Sequence, residues 1–316
     1  MNRATHAAVI ATFATAALLT GCTRADVPTD PELESSESPA YTATELPFQL
    51  DSTATGVAID NSGNIYASDV GTGNVVERDG YSITSDSGRL LVLRSGADHS
   101  ETLVEKVGAP FGLAAAPDGT LYATDAVDDK LLRIAPGGSQ PETVELPADV
   151  EPEKIAVNSA GDVAVLADDD VYLLRGGLAP AEMFDVFFSS GDAIAVSENR
   201  DIYFTDTFDD LYLVEGGAGD PRELRDLGGD FNTVAAAFDP QGVLYFIDRH
   251  VETTTSPDGL IETNTTSYHV RTYTEGADET SELAIAGLTN PTALTVDDSG
   301  AVYIADNSRI VKFEKP

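Results

Sequence analysis

The chain has 316 residues, of which 42% are hydrophobic, and its 18 Lys and Arg oppose 54 Asp and Glu, giving a formal net charge of −36. This length allows a sizeable core in one large domain. The small number of basic residues argues against a nucleic-acid partner, because phosphate groups are bound by Lys and Arg. A well-solvated surface explains such acidity, with cation binding and a high-salt habitat as the alternatives. The single cysteine, Cys22, excludes an intrachain disulfide and a cysteine-based zinc site.

Residues 1–21 have the features of a secretory signal peptide. Arg3 precedes a run of small apolar residues at 7–19, which contains no acid and is too short for a comfortable membrane span. The run leads into L-T-G-C at residues 19–22, which resembles a bacterial lipobox. The resemblance implies cleavage before Cys22 and acylation of its thiol, for example with palmitate; a free buried thiol is the alternative. We therefore expect a lipoprotein anchored in the cell membrane on the extracytoplasmic side.

Residues 22–43 are rich in Pro, Ser, Thr and acids and poor in apolar residues. This composition predicts a disordered, extended tether between the lipidated cysteine and the folded part. The folded domain is expected over residues 44–316. It begins with T-E-L-P-F-Q-L at residues 44–50, which reads as an isolated strand without a partner of its own.

One hairpin unit recurs along the rest of the chain. At residues 55–69 it reads T-G-V-A-I-D-N-S-G-N-I-Y-A-S-D, with a D-N-S-G turn between two strand-like runs. A third apolar run, a Gly-containing turn and a fourth run follow in most copies, and four antiparallel strands per unit are typical of a propeller blade. The third copy is degraded, because Ala164 stands where Tyr is expected. The six copies begin at Thr55, Phe111, Glu153, Asp192, Val234 and Thr292.

The sixth copy ends after its third strand, so one strand is missing at the C-terminus while residues 44–50 are spare at the N-terminus. The economical arrangement pairs the N-terminal strand with the last blade, which closes the ring and covers an exposed edge. The sequence therefore predicts an all-β, six-bladed β-propeller.

The G-x-[IVL]-Y-x-x-D core and the P-x-x-[LIV] openings at Pro110, Pro152 and Pro291 resemble NHL repeats over residues 50–316. That family includes outward-facing sensor domains of bacterial receptor kinases, so the resemblance implies a binding role. The chain is more distantly similar to the SMP-30/gluconolactonase and virginiamycin B lyase propellers, which implies a cation-dependent enzyme as the alternative.

Strand order places two long connections, residues 70–88 and 249–267, on one face of the predicted propeller. Long irregular connections in a compact domain often carry function. We therefore expect a ligand-binding surface there. Its candidate residues are Arg78, Tyr81, Phe111, Arg249 and His250.

The Asp that ends the second strand of most copies is expected to serve the blade instead, by accepting hydrogen bonds from nearby backbone amides. These residues are Asp69, Asp125, Asp206, Asp248 and Asp306.

Three oxygen ligands fall at the openings of innermost strands on neighbouring blades. Glu153 and Asp192 open the third and fourth copies, and Asn232 lies two residues before the fifth. Such a set suits Ca²⁺, although chance acidity in a very acidic chain is the alternative. The resemblance to SMP-30 proteins implies a metal held by Glu, Asn and Asp at comparable positions. The resemblance to virginiamycin B lyase implies a catalytic His near the channel, for which His250 is the candidate and an ordinary surface His the alternative.

Nucleophilic catalysis has no sequence support, because neither a G-x-S-x-G elbow nor a usable Cys is present. Two functions follow. The first is a non-enzymatic, lipid-anchored module that binds a protein, peptide or cell-wall ligand through the loop-rich face. The second is a cation-dependent, lactonase-type hydrolase or lyase at the channel mouth.

Overall fold

The computed structural model describes residues 40–72, 74–78, 81–85, 87–167, 170–178, 180–185, 193–205, 210–226, 231–255, 262–277 and 280–315. Over these residues the chain forms β-strands, two short 3-10 turns at Arg175–Gly177 and Glu215–Gly217, and no α-helix. The described part accordingly holds no helix long and apolar enough to cross a membrane.

The strands form six antiparallel four-stranded sheets. β1 (Thr42–Glu45) precedes the first complete blade. Blade one contains β2 (Ala54–Ile59), β3 (Ile65–Asp69), an inserted ribbon of β4 (Asn74–Arg78) and β5 (Tyr81–Ser85), then β6 (Gly88–Leu93) and β7 (Glu101–Val107). Blade two contains β8 (Pro110–Ala115), β9 (Leu121–Asp125), β10 (Lys130–Ile134) and β11 (Pro141–Val144). Blade three contains β12 (Pro152–Val157), β13 (Val163–Ala167), β14 (Asp170–Leu174) and β15 (Glu182–Asp185).

The remaining blades follow the same order. Blade four contains β16 (Ile194–Val196), β17 (Ile202–Thr205), β18 (Asp210–Val214) and β19 (Arg222–Asp226). Blade five contains β20 (Phe231–Phe238), β21 (Leu244–Thr255), β22 (Glu262–Tyr273) and β23 (Ser281–Glu282). Blade six contains β24 (Pro291–Val296), β25 (Val302–Asp306) and β26 (Arg309–Glu314). Each first strand contacts the first strands of both neighbouring blades, so the six blades form a closed propeller.

The N-terminal strand closes the ring as predicted. β1 pairs with β26 from Thr42 opposite Glu314 to Glu45 opposite Val311, as the outer strand of blade six. The strand lies two residues earlier than expected and ends before Pro47, because proline cannot donate to the ladder. The apolar side chains of Leu46, Phe48 and Leu50, predicted as strand, instead pack against the core between blades six and one.

Side chains at the seams tie neighbouring blades together near the channel. The hydroxyl of Thr292 in blade six donates to the Ala54 carbonyl of blade one at 2.6 Å. The Thr124 hydroxyl of blade two donates to the Glu153 carbonyl of blade three at 3.0 Å. The Thr55 hydroxyl of blade one likewise donates to the Pro110 carbonyl of blade two. These bonds satisfy backbone carbonyls where the innermost strands converge.

The hairpin formed by the first and second strands of a blade explains two other residues of the sequence unit, the Asp that begins the turn and the Tyr of the second strand. In blade one, Asp60 accepts hydrogen bonds from the Ser62 amide at 2.8 Å and the Asn64 amide at 2.9 Å, and from the Tyr66 hydroxyl at 2.8 Å. Burial, followed by the hydrogen bond to Asp60, raises the pKa of Tyr66 to about 12. One carboxylate therefore caps the turn and satisfies a buried phenol, which is why the two residues recur six positions apart.

The same hairpin needs a left-handed residue, and five of its copies have glycine there. Gly63 has φ +76°, whereas the fourth copy places Arg200 in this conformation at φ +69°. A non-glycine residue is strained there. The Arg200 guanidinium offsets this by an ion pair of 2.5 Å with Asp162 of blade three, whose side chain is almost fully buried.

The two long connections are more regular than predicted, so the expectation of irregular loops was wrong where residues are described. Residues 74–78 and 81–85 form the β4–β5 ribbon. β21 and β22 continue as paired strands from Leu244 opposite Tyr273 to Thr255 opposite Glu262. The reason is composition, because the Thr-rich segments that read as loop consist largely of β-branched residues that favour extended backbone.

Candidate functional site

The propeller has two unlike faces. We call the side where the second strands end and the β4–β5 and β21–β22 ribbons emerge the ribbon face, and the side with the tight turns between first and second strands the hairpin face. The central channel is narrow toward the ribbon face, where its cavity measures about 50 Å³. Toward the hairpin face it widens to about 760 Å³. The larger cavity thus opens opposite the face predicted to bind ligand.

The wide cavity has apolar walls and an acidic rim. Its walls include Val57, Leu113, Ile155, Val196 and Leu294, and its rim includes Asp60, Glu198, Asp239, Asp297 and Asp298. Several rim carboxylates serve their own turns, as Asp239 does by accepting from the Gln241 and Val243 amides at 2.9 and 2.8 Å. Burial alone would raise the pKa of Asp297, but hydrogen bonds from Ser299, Tyr303 and Ala301 hold it below its usual value. These bonds account for Asp60, Asp239 and Asp297 as structural groups.

The predicted ligand-face residues occupy different parts of the ribbon face. Phe111 lines the narrow cavity and is half-buried. Arg78 pairs with Tyr81 at the tip of the β4–β5 ribbon. Arg249, which is exposed, and His250, which is half-buried, lie where β21 leaves the blade. Arg249 faces Tyr268 across the ribbon, and His250 faces Ser267.

The predicted cation ligands are only partly described. Glu153 lies in the first strand of blade three with an exposed side chain, and the neighbouring Lys154 lines the narrow cavity. Asn232 lies half-buried in β20, opposite Arg249. Asp192 lies outside the described residues. Within the described ranges, no group of three or more His, Cys, Asp or Glu could hold a metal ion, so the Ca²⁺ site stays a prediction that needs Asp192. Cys22 also lies outside the described residues.

The Asp that recurs at the end of strand two behaves as predicted in three blades. Asp125 accepts from the Gly108 and Val127 amides at 3.0 and 3.1 Å, and Asp306 from the Thr289 and Asn290 amides at 2.9 and 2.6 Å. Asp69 accepts from the Asp51 amide at 2.8 Å. By accepting these backbone hydrogen bonds, the carboxylates hold the segment that precedes the first strand of each blade in place. Asp206 lies outside the described residues.

Asp248 of blade five is the exception among the described members. Its side chain is fully buried, and Oδ1 accepts from the Thr233 hydroxyl at 2.7 Å. Oδ2 has no hydrogen-bond partner; Arg271 Nε lies 3.6 Å from it. Burial raises the pKa of Asp248, whereas the pKa of Asp69 is lowered because hydrogen bonds from Asp51, Ser52, Gly71 and Arg89 outweigh its burial. Blade five therefore differs from blades one, two and six at the place where its ribbon begins.

A chain of polar side chains lies beside Asp248 and was not foreseen from the sequence. Ser267 Oγ lies 3.1 Å from His269 Nε2, and His269 Nδ1 lies 2.9 Å from Glu282 Oε1. Asp248 is directly opposite His269 on the neighbouring strand. The alternation S-Y-H-V-R at residues 267–271 is the signal that could have revealed it, because alternate strand residues share a face.

The sequence matches no protein-family model and no curated protein. Among solved structures, a gluconolactonase from Xanthomonas campestris matches with a TM-score of 0.63 at 14% identity, covering 89% of this chain and 96% of that chain. The fold is shared. A virginiamycin B lyase from Staphylococcus aureus matches with a TM-score of 0.58 at 12% identity, covering 87% of this chain and 99% of that one.

A chain of a nidogen–laminin complex also matches, with a TM-score of 0.55 at 17% identity, covering 70% of this chain and 83% of that chain. Propellers similar to this one therefore include enzymes and a chain from a protein–protein complex. At such identities the likeness establishes the six-bladed fold, and function has to be argued from the residues of this chain.

Proposed function

We propose that this protein is a lipid-anchored, extracytoplasmic β-propeller that binds a protein or peptide ligand, or a cell-wall component, through its ribbon face. The observation that carries the proposal is the outer half of the β21–β22 ribbon. From Arg249 opposite Tyr268 to Thr255 opposite Glu262 the two strands are paired to each other. β20 reaches only to His250, and β23 pairs only with Arg271 and Thr272, so the described residues add no strand to the outer edges of this ribbon.

A two-stranded ribbon of this kind is marginally stable in water, and its edges are templates for pairing with another chain. The side chains of residues 251–255 and 263–266 are exposed, including Val251, which is one of three large exposed hydrophobic side chains among the described residues. Addition of a ligand strand to an exposed edge is a common mode of peptide recognition, in which backbone hydrogen bonds supply the affinity. The geometry therefore favours an extended protein segment as the ligand.

The anchoring part of the proposal is supported by the sequence of residues 1–43. A signal-like run ending in Cys22 would leave an acylated N-terminus, and the following Pro- and Ser-rich segment would hold the propeller away from the lipid. The match to a chain of a nidogen–laminin complex supports the use of this fold in protein binding.

The anchor is tested by fractionating cells that produce the full chain or its Cys22→Ala variant. The full chain should incorporate labelled palmitate and remain with the membrane, whereas Cys22→Ala should incorporate none. Equal palmitate incorporation by the two would remove the lipid anchor from the proposal.

The binding surface is tested by shortening the ribbon. Replacing residues 251–266 with Asn-Gly joins the cross-strand pair His250 and Ser267 through a two-residue turn and leaves the blade intact. Crosslinking on intact cells should then lose the partner adduct while the melting temperature stays unchanged. Shortening the β4–β5 ribbon at residues 75–84 is the matched control. Retention of the adduct by the β21–β22 variant would contradict the proposal.

A further inference from the structure

The polar chain of blade five has the order of groups that activates a serine hydroxyl. Ser267 Oγ and His269 Nε2 are 3.1 Å apart, within the 2.6–3.2 Å reach that nucleophile and base require. His269 Nδ1 and Glu282 Oε1 are 2.9 Å apart, which orients the imidazole. With its proton on Nδ1, the ring donates to Glu282 and presents the Nε2 lone pair to the Ser267 hydroxyl.

The strands fix this arrangement. Ser267 and His269 are alternate residues of β22 and so project from one face of the ribbon. The next residue, Val270, is fully buried and anchors this part of β22 in the core. Glu282 comes from β23, whose register places it opposite Arg271 and diagonal to His269. The three groups are thus carried by paired strands, which hold catalytic geometry better than loops do.

Two carboxyl groups flank the His269 imidazole. Glu282 is hydrogen-bonded to it, and the buried Asp248 is its direct cross-strand partner. A positive imidazolium formed by proton transfer would be stabilised by both, as the acid of a catalytic triad stabilises its histidine. The side chain of His269 is 29% exposed and Ser267 is half-buried, so solvent and substrate reach the hydroxyl.

We propose that Ser267, His269 and Glu282 form an acyl-transfer site that hydrolyses carboxylic esters on the outer edge of blade five. Ser267 Oγ attacks the ester carbonyl carbon while its proton passes to His269 Nε2. The carbon–oxygen bond to the alcohol then breaks, and His269 returns the proton to the leaving oxygen. Water, deprotonated by His269, attacks the acyl-serine carbonyl carbon. The bond from that carbon to Ser267 Oγ breaks, His269 returns the proton to Oγ, and the carboxylic acid leaves.

Ser267 and His269 are the catalytic residues, and Glu282 is a positioning residue. The carbonyl oxygen becomes negative during attack and needs a donor. His250 is the cross-strand partner of Ser267, at a separation at which paired side chains meet, and it is the group placed to donate. This activity goes beyond the binding role proposed above, because it uses the base of the ribbon, which the shortened variant retains.

The experiment uses the purified full chain with a fluorophosphonate probe and with p-nitrophenyl acetate. The probe should add to Ser267, as located by peptide mass, and Ser267→Ala should abolish both labelling and ester turnover. His269→Asn should lower both by about 100-fold or more, the loss expected when a general base is removed. Glu282→Gln should lower kcat at unchanged KM and unchanged melting temperature.

Two controls match these variants. His99 is a surface histidine 2.6 Å from Asp98, so His99→Asn removes a His–acid pair without touching the site. Thr265→Ala removes an exposed hydroxyl from the same strand. Both should keep wild-type labelling. Labelling of Ser267 no faster than that of other serines, or ester turnover that survives Ser267→Ala, would overturn the proposal whatever the outcome of the ribbon experiment.

Discussion

Asp306 and Asp248 occupy the same place in blades six and five, yet the structure predicts that only Asp306→Asn lowers stability at neutral pH. Asp306 is fully buried and accepts from the Thr289 amide at 2.9 Å, from the Asn290 amide at 2.6 Å and from Arg309 Nε at 3.1 Å. Breaking a buried ion pair costs about 3–5 kcal/mol. The Arg309 side chain is 35% exposed, so solvent screens part of that interaction, and we expect about 3 kcal/mol for Asp306→Asn.

The sign of the pH dependence follows from the two pKa shifts. Burial alone would raise the pKa of Asp306, but hydrogen bonds from Asn290, Arg309 and Thr289 outweigh it and lower that pKa. The contribution of Asp306 to folding stability is therefore present above the unfolded-state pKa of about 3.9 and is lost as pH falls through the folded-state pKa. Burial raises the pKa of Asp248. Its carboxyl group therefore contributes to folding stability below the unfolded-state pKa of about 3.9, and this contribution is lost as pH rises through the folded-state pKa. At neutral pH, Asp248→Asn should therefore leave stability unchanged or raise it.

Urea unfolding of the full chain and both variants at pH 7 and pH 3 is the assay. Asp306→Asn should lower the free energy of unfolding by about 3 kcal/mol at pH 7, equivalent to a melting temperature lower by roughly 5 °C, with a smaller difference at pH 3. Asp125→Asn is the matched control, because Asp125 holds the equivalent place in blade two by accepting the Gly108 and Ala109 amides. Equal destabilisation by Asp248→Asn and Asp306→Asn at pH 7 would refute the reasoning.

Three further predictions concern the ring, the inner hairpin and the cation. Deleting residues 40–46 removes β1, which should lower the melting temperature and cause aggregation through the exposed edge of β26. Deleting residues 23–39 should leave the melting temperature unchanged. Equal melting temperatures of the two variants would contradict closure of the ring by β1. Tyr303→Phe removes the 2.9 Å hydrogen bond to Asp297 and should cost about 1 kcal/mol in urea unfolding, and a stabilised variant would contradict that role. If Glu153, Asp192 and Asn232 form a Ca²⁺ site, the melting temperature should rise with Ca²⁺ and fall with EDTA, and Asn232→Ala should show neither change. An unchanged melting temperature of the wild type in EDTA would remove the site.

The sequence predicted the ring because each blade repeats one local device. The turn-capping Asp60 and its partner Tyr66 lie within seven residues of each other, so their geometry can be read from spacing alone. The closing strand was placed two residues late because the alternation of apolar residues at 46, 48 and 50 resembles a strand, whereas Pro47 keeps them out of the ladder and the core accepts them as packing groups.

The site was harder to predict because it depends on long-range register. Ser267 and His269 were visible as alternate residues, but Glu282 lies 13 residues beyond His269 in a strand of only two residues, and its register against β22 cannot be read from the sequence. Asp248 was recognised as one of the repeated Asp residues, but its distinct role in blade five could not be read from the repeat. Repetition therefore identified the blades, and the departures from repetition identify the candidate site.

The most direct test of the binding account is site-specific photo-crosslinking on intact cells. A photoreactive residue at the exposed position Thr254 samples the β21–β22 ribbon, and one at the exposed position Asn61 samples the rim of the wide cavity on the hairpin face. The account predicts a discrete protein adduct from position 254 and none of that mass from position 61. An adduct confined to position 61 would contradict the ribbon face as the binding surface.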